Sequence, residues 1–307
     1  MNVPSRVGVG AAFGSCGELL QGVTADNGRD FLVTLPITRG SVAVFEPDPC
    51  RDDLTVVPAH KTKSRAVAAA VLAVSTALRG GVLTVLGDLP EGKGLASSTA
   101  DLVATARAVA DAEGRTLAPT EIEAVLRGIE PSDGVMYPGA VAYYHREVRL
   151  LAALGALPPL TVVTGDEGGC VDTVAFDRQR PTVPPVVARE YSSLLATLSE
   201  AITRGDAATI GAVATRSARL STPLRARPHL EATITAAERI GALGVVVAHS
   251  GTTTGILLDE RDPQIAAKIV AAQQICAKFA VSVDIYRSWR PGPPDGSDPV
   301  LSAAVAP

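Results

Sequence analysis

Apolar residues recur along this chain in two rhythms: short alternating or continuous runs bounded by glycine and proline, and longer alanine-rich runs without breakers. The first rhythm suits strands and the second helices, because side chains alternate faces along a strand but return about every 3.6 residues around a helix. On this basis residues 7–12 predict a short strand entering a glycine turn, and 31–36, 41–45 and 54–57 predict three more strands. Residues 65–78 predict a mostly buried helix that stops at Gly80-Gly81, and 82–87 return as a strand. Helices follow at 97–113 and at 119–128, the latter opened by Pro119-Thr120-Glu121.

Further on, 141–144, 148–151 and 160–163 predict an antiparallel meander, and the prolines in 181–185 mark a boundary before a second half. That half predicts helices at 189–203, 207–220 and 229–240, and strands at 245–248 and 254–258 flanking a turn of small residues. A helix at 263–279 then leads to a last strand at 280–286. Two domains are therefore expected, 1–180 and 181–290, followed by a flexible Pro-, Gly-, Asp- and Ser-rich tail over 291–307.

The chemistry concentrates where the predicted strand 82–87 gives way to the helix at 97, in Leu89-Pro90-Glu91-Gly92-Lys93-Gly94-Leu95-Ala96-Ser97-Ser98-Thr99-Ala100. Free amides at a helix start, the positive end of its dipole and glycines that permit close approach make an anion site, and the hydroxyls can reach phosphate oxygens or Mg²⁺. Two better-known phosphate fingerprints fail. Gly87 to Lys93 spells G-x-x-x-x-G-K, but Gly94 stands where a P-loop needs Ser or Thr to ligate Mg²⁺. The segments starting at Gly8 and Gly92 lack the third glycine of a Rossmann turn and its ribose-binding acid.

Composition narrows the partner. With 307 residues, 47% hydrophobic and 20% charged, the chain has room for two modest domains. A net charge of −4 without a Lys/Arg-rich block excludes a nucleic-acid surface, so the phosphate ligand is a small molecule. The N-terminus has no charged region leading into an apolar one, and no apolar run approaches a bilayer span, so a cytoplasmic protein without a membrane partner is expected. A homodimer is the oligomeric expectation. Cys16, Cys50, Cys170 and Cys276 are far apart and the four histidines form no H-E-x-x-H, which indicates neither zinc nor a disulfide framework. Cys16 alone, set among Gly14, Ser15, Gly17 and Glu18, has surroundings in which a reactive thiol is conceivable, although no base is near in sequence.

Three separated segments share glycines and hydroxyls between structured elements: 14–22, 92–99 and 249–255. They resemble the three motifs of the GHMP kinases, whose central motif reads P-x-x-x-G-L-x-S-S, matched here by Pro90, Gly94, Leu95, Ser97 and Ser98. Within that family the chain is most similar to the L-threonine kinases of cobalamin biosynthesis. That similarity rests on Gly14-Ser15-Cys16-Gly17-Glu18-Leu19-Leu20-Gln21-Gly22, Glu130-Pro131-Ser132-Asp133-Gly134 and Ala248-His249-Ser250-Gly251, and it covers roughly residues 6–286. Motif one departs from the wider family in having Phe13 and Ser15 where a proline and sometimes a basic residue are usual.

The resemblance implies an α+β fold of two lobes, the first like ribosomal protein S5 domain 2 and the second ferredoxin-like. It implies ATP and Mg²⁺ as cofactors and a small-molecule acceptor, an amino acid or small alcohol. ATP phosphates would lie on Pro90, Gly92, Lys93, Gly94, Leu95, Ala96, Ser97, Ser98 and Thr99. Ser98 and Glu130 would hold Mg²⁺, with Glu123 an alternative acid, and Asp133 would orient or deprotonate the acceptor hydroxyl. The acceptor would meet Ser15, Cys16, Gly17, Glu18, Gln21, His249, Ser250, Gly251 and Thr252, with Glu18 suited by charge to an ammonium. Simpler readings stand beside these: Asp133 as a turn residue before Gly134, Glu130 as a solvated helix-end charge, and Ser97 to Thr99 as a plain N-cap. His249 could be a hydrogen-bonded strand end, and Lys61, Lys63 and Arg65 either phosphate-binding or a solvated face. The leading reaction is phosphorylation of L-threonine; another small alcohol such as serine or homoserine, or a silent ATP-binding regulator, are the competing readings.

Overall fold

The computed structural model describes residues 6–75, 77–169, 183–223 and 225–291. Cys170, the start of the expected proline boundary and nearly all of the expected tail lie outside them.

Two long strands, β1 (Gly8–Val23) and β2 (Asp30–Pro47), form a hairpin that runs the length of the molecule. Here the structure corrects the sequence reading: the glycine segment after residue 12 is no turn, and the two strands expected at 31–36 and 41–45 are one. The register shifts between Phe13 and Gly14, between Ser15 and Glu18 and between Glu18 and Leu20, so the small residues bend the ribbon by bulges without ending it.

On one side of the bulges the ribbon is flanked by β4 (Gly81–Gly87), which pairs antiparallel with β2, and by β3 (Leu54–Val57), parallel to β4. Helices α1 (Thr62–Leu72), α2 (Ser97–Ala112) and α3 (Pro119–Leu126) accompany this half. Their core gathers Phe45, Leu83, Val103 and Ile122. The alanine richness of α2 has a steric cause. A Cβ at Gly10 would come within 2.2 Å of the Ala104 carbonyl oxygen, so helix and strand touch backbone to backbone. Helix α1 stops at Leu72 rather than at 78, because the Ser75 hydroxyl accepts the N–H groups of Ala77 and Leu78 at 3.1 and 2.8 Å and takes the chain out of the helix.

β5 (Ala140–Tyr144) and β6 (Arg149–Gly155) pair with each other, and β5 also with β2. The expected meander ends there. β7 (Leu160–Asp166) leaves after Pro158-Pro159 and pairs with β9 (Thr253–Asp259) and β10 (Ser282–Arg287). Helices α4 (Pro185–Arg204), α5 (Ala207–Leu220) and α6 (Leu230–Arg239) precede β8 (Gly244–Val247), and α7 (Ile265–Cys276) joins β9 to β10. The strand order β10-β7-β9-β8 is that of a split βαββαβ unit, the ferredoxin-like arrangement. β8 meets β1 at Glu18, so the ten strands are continuous through the bulged ribbon.

Candidate active site

The loop from β4 to α2 is pinned at both ends. Asp88 accepts the Gly40 N–H and the Arg39 Nε–H, each at 2.9 Å. At the other end Leu95 is buried, and the bulge of β1 donates to the loop, Ser15 N–H to Leu95 O and Gly17 N–H to Gly94 O, both at 3.2 Å. Gly92, Gly94 and Ala96 have φ of 70°, 79° and 54°, so every second residue is left-handed, a geometry that turns amides into one concave face. Ala96 is the N-cap of α2 and has no side-chain oxygen to offer, so no hydroxyl caps the helix start. The hydroxyls of the first turn serve elsewhere: Ser98 Oγ donates to Glu130 Oε1 at 2.5 Å, and Thr99 Oγ1 accepts the Asp133 N–H at 3.2 Å.

These groups face a cavity of about 270 Å³. Of the residues singled out from the sequence, Gly92, Gly94, Leu95, Ala96, Ser97, Ser98 and Thr99 line it, together with Lys63, Glu130, Asp133, Ser15, Glu18, His249 and Ser250. The others stand outside its lining. Pro90 is exposed, and Lys93 turns to Asp166 at 2.6 Å and to the Gly169 carbonyl at 2.7 Å. Cys16 is wholly buried, and burial followed by the nearby Glu18 charge holds its thiol in the protonated, unreactive form. Gly17 and Gln21 back the wall, the Gln21 amide meeting His249 Nδ1 at 2.9 Å. Gly251 packs under the phosphate loop, where a Cβ would come within 2.1 Å of the Lys93 carbonyl oxygen, and Thr252 bonds Asp166.

The segment 130–134 brings the acids in. The Ser132 N–H donates to the His145 carbonyl at 3.0 Å, and Thr99 fixes Asp133, so the loop is stapled between β5 and α2. The Glu130 carboxylate also pairs with Lys63. Glu123, the alternative acid, accepts from Tyr137 OH at 3.0 Å and from Leu150 N–H at 2.8 Å and lines no part of the cavity. Lys61 bridges Glu91 at 2.5 Å and Asp101 at 2.6 Å beside an adjoining cavity of about 260 Å³, whereas Arg65 lines neither space.

Glu18 is a further acid of the lining, 7% exposed. Burial, and then the charge of Asp133, raise its carboxyl well above the usual carboxylate range; the His249 N–H and Arg227 act in the other direction. Its Oε2 has no hydrogen-bond partner within the protein, and neither has Gln21 Nε2. Beside them the rings of His145 and His249 meet edge to face, centroids 4.9 Å apart.

Two contributors escaped the sequence reading. His145, at the end of β5, carries no motif. Arg227 lies in a short linker of ordinary appearance, yet it is buried and donates to Ala248 O at 2.5 Å and Gly251 O at 3.3 Å. Burial, then repulsion from Arg225, lower its guanidinium to about 10. The linker's Arg-x-Arg-Pro pattern is the one local signal that could have marked it. Among the described residues no three His, Cys, Asp or Glu side chains converge where they could hold a metal ion. Nor is any of their helices long and apolar enough to cross a membrane.

The chain is similar to known proteins. Residues 64–141 match the family model described as GHMP kinases N terminal domain, and residues 198–275 match GHMP kinases C terminal, together just over half of the 307 residues. An L-threonine kinase of Salmonella typhimurium is 29% identical over 271 residues, 85% of this chain and 86% of its own. Among solved structures, L. major mevalonate kinase in complex with R-mevalonate superposes with a TM-score of 0.69 at 17% identity, covering 94% of this chain and 98% of that one. Homoserine kinase from Cytophaga hutchinsonii gives 0.69 at 18%, covering 94% and 96%.

Proposed function

The chain belongs to the GHMP kinases, ATP-dependent phosphotransferases with alcohol acceptors, and from that membership we propose that it converts L-threonine to O-phospho-L-threonine. The observation that carries this reading is the meeting, in one cavity, of the amide-lined start of α2 with Asp133 and with a buried acid, Glu18, whose Oε2 lacks a partner. A phosphate loop alone would suit any nucleotide user. The unmatched carboxylate beside it suits an acceptor that carries an ammonium.

On this reading the amides of Ser97, Ser98 and Thr99, backed by the dipole of α2, receive the charge of the transferring phosphoryl group. Asp133 takes the proton of the acceptor hydroxyl as the new O–P bond forms and the bond to ADP breaks. Glu18 receives the ammonium, whose charge reverses the penalty that burial and Asp133 place on the ionised carboxylate. The Ser98 hydroxyl and Glu130 carboxylate, 2.5 Å apart at the cavity wall, are a hard oxygen pair that fits Mg²⁺, an ion that takes few protein ligands when phosphates supply the rest. When bound there, Mg²⁺ would neutralise phosphate charge. Lys63, paired with Glu130, adds a positive charge at the same rim.

A cytoplasmic homodimer acting on small molecules, with a place in cobalamin biosynthesis, completes the proposal. Its test is ADP release over a panel of L-threonine, L-serine, L-homoserine and unrelated alcohols. The expected result is highest kcat/KM for L-threonine, and no ADP release with it would overturn the assignment.

A further inference from the structure

An amino acid acceptor has a second charge, its carboxylate, and the cavity must receive that too. The charged groups of the lining are Glu18, Glu130, Asp133 and Lys63, and Lys63 is already paired with Glu130. The arginines nearest the site, Arg225 and Arg227, are turned to main-chain carbonyls of the 248–251 turn and to Glu167, behind the lining. Three acids against one matched lysine would repel a carboxylate. The wall also holds a pair of imidazoles, His145 and His249, 3% and 5% exposed.

Gln21 takes Nδ1 of His249 at 2.9 Å and fixes the plane of that ring, and His145 packs edge-on against it at 4.9 Å. The main chain of both histidines is tied into the site as well: the His145 carbonyl accepts the Ser132 N–H of the acid loop, and the His249 N–H bonds Glu18. The pair thus lines the same cavity as Asp133 and Glu18. Ser132 and Ser250 add hydroxyls to the same wall.

We infer that His145 and His249 receive the carboxylate of the acceptor, so that the cavity takes a zwitterionic α-amino acid in preference to a plain amino alcohol. This rests on the phosphotransfer reading above and extends it. Glu18 takes the ammonium and Asp133 the hydroxyl. Both acids line the one cavity and the charge of Asp133 acts on Glu18, in keeping with a hydroxyl and an ammonium on adjacent carbons. The two imidazoles supply N–H donors to the third substituent. His145 is thus a specificity-determining residue that no motif announces.

The experiment measures calorimetric Kd, with a nonhydrolysable ATP analogue and Mg²⁺ present, for L-threonine and for 1-amino-2-propanol, the same amino alcohol without the carboxylate. Wild-type protein, His145→Leu and His145→Asn are compared, and steady-state kinetics accompany the binding. Wild type is expected to prefer threonine. His145→Leu should weaken threonine about 10- to 100-fold more than it weakens the amino alcohol, the span expected for losing a hydrogen bond to a charged group. The Asn variant, which keeps an N–H donor, should regain part of that preference. Equal loss on both ligands would mean a merely structural ring and would overturn the inference, as would an unchanged ratio or a wild type indifferent to the carboxylate. Wild-type protein that binds threonine selectively yet releases no ADP would instead overturn the reaction and leave this assignment intact.

Discussion

The two ends of the cavity are built from different materials. The proposed phosphate end is main chain: amides of 97–99, left-handed residues at 92, 94 and 96, and two hydrogen bonds from the β1 bulge. The acceptor end is side chain: Glu18, Gln21, His145, His249 and Asp133, drawn from four separate stretches of sequence. Backbone recognises any phosphate chain and constrains residue type mainly through sterics, whereas side chains can be exchanged singly to suit a new acceptor. On the proposed reading, catalytic generality sits at one end and substrate choice at the other.

The strongest way to break that division is at the junction. Asp133→Asn should lower kcat by about 10²- to 10⁴-fold, with nucleotide Kd within about twofold, as for loss of a general base. Unchanged turnover in a steady-state assay would remove Asp133 from the reaction. Next, Glu18→Gln should raise KM for threonine by about 10- to 100-fold and leave nucleotide binding alone, because it removes a charge-assisted contact at the acceptor end only. If nucleotide Kd rose in parallel, the two ends would not be separable.

At the phosphate end Gly251→Ala forces a Cβ against the Lys93 carbonyl, where only 2.1 Å is available. Nucleotide Kd, read by calorimetry, should rise by about tenfold, with the acceptor Kd less affected, since the loop must shift by a fraction of an ångström. The smallest effect is a pH dependence. Glu18 binds an ammonium in its ionised form, and its carboxyl is raised, so the ionised fraction falls as pH drops through that raised value. Threonine KM should then climb by up to tenfold per pH unit on the acid side, and Glu18→Gln should flatten the slope.

The phosphate end was readable in the sequence because a loop made of backbone needs glycines and small hydroxyls in a fixed local order, and residues 90–99 carry that order. Most element positions were readable as well, since alternation and alanine-rich runs are local properties. The acceptor end was readable only where it overlapped a motif, at Glu18, Gln21, Asp133 and His249. His145 and Arg227 act by their place in three dimensions, and a lone histidine or a linker arginine leaves no local trace. The same limit explains the misread strand. Gly14 and Gly17 look like breakers taken alone, yet the carbonyls of Leu95 and Gly94 hold the bulge open and let the strand continue to Val23.

That continuous strand governs how the protein can be divided. Because β1 and β2 serve as the shared spine of both halves, with β4 on one flank and β8 on the other, dividing the chain between the two expected domains would not release two self-sufficient pieces. The β8 flank is joined to that spine at one residue pair, Glu18 with Val247, so the acid proposed to hold the acceptor's ammonium also sits at the seam of the sheet.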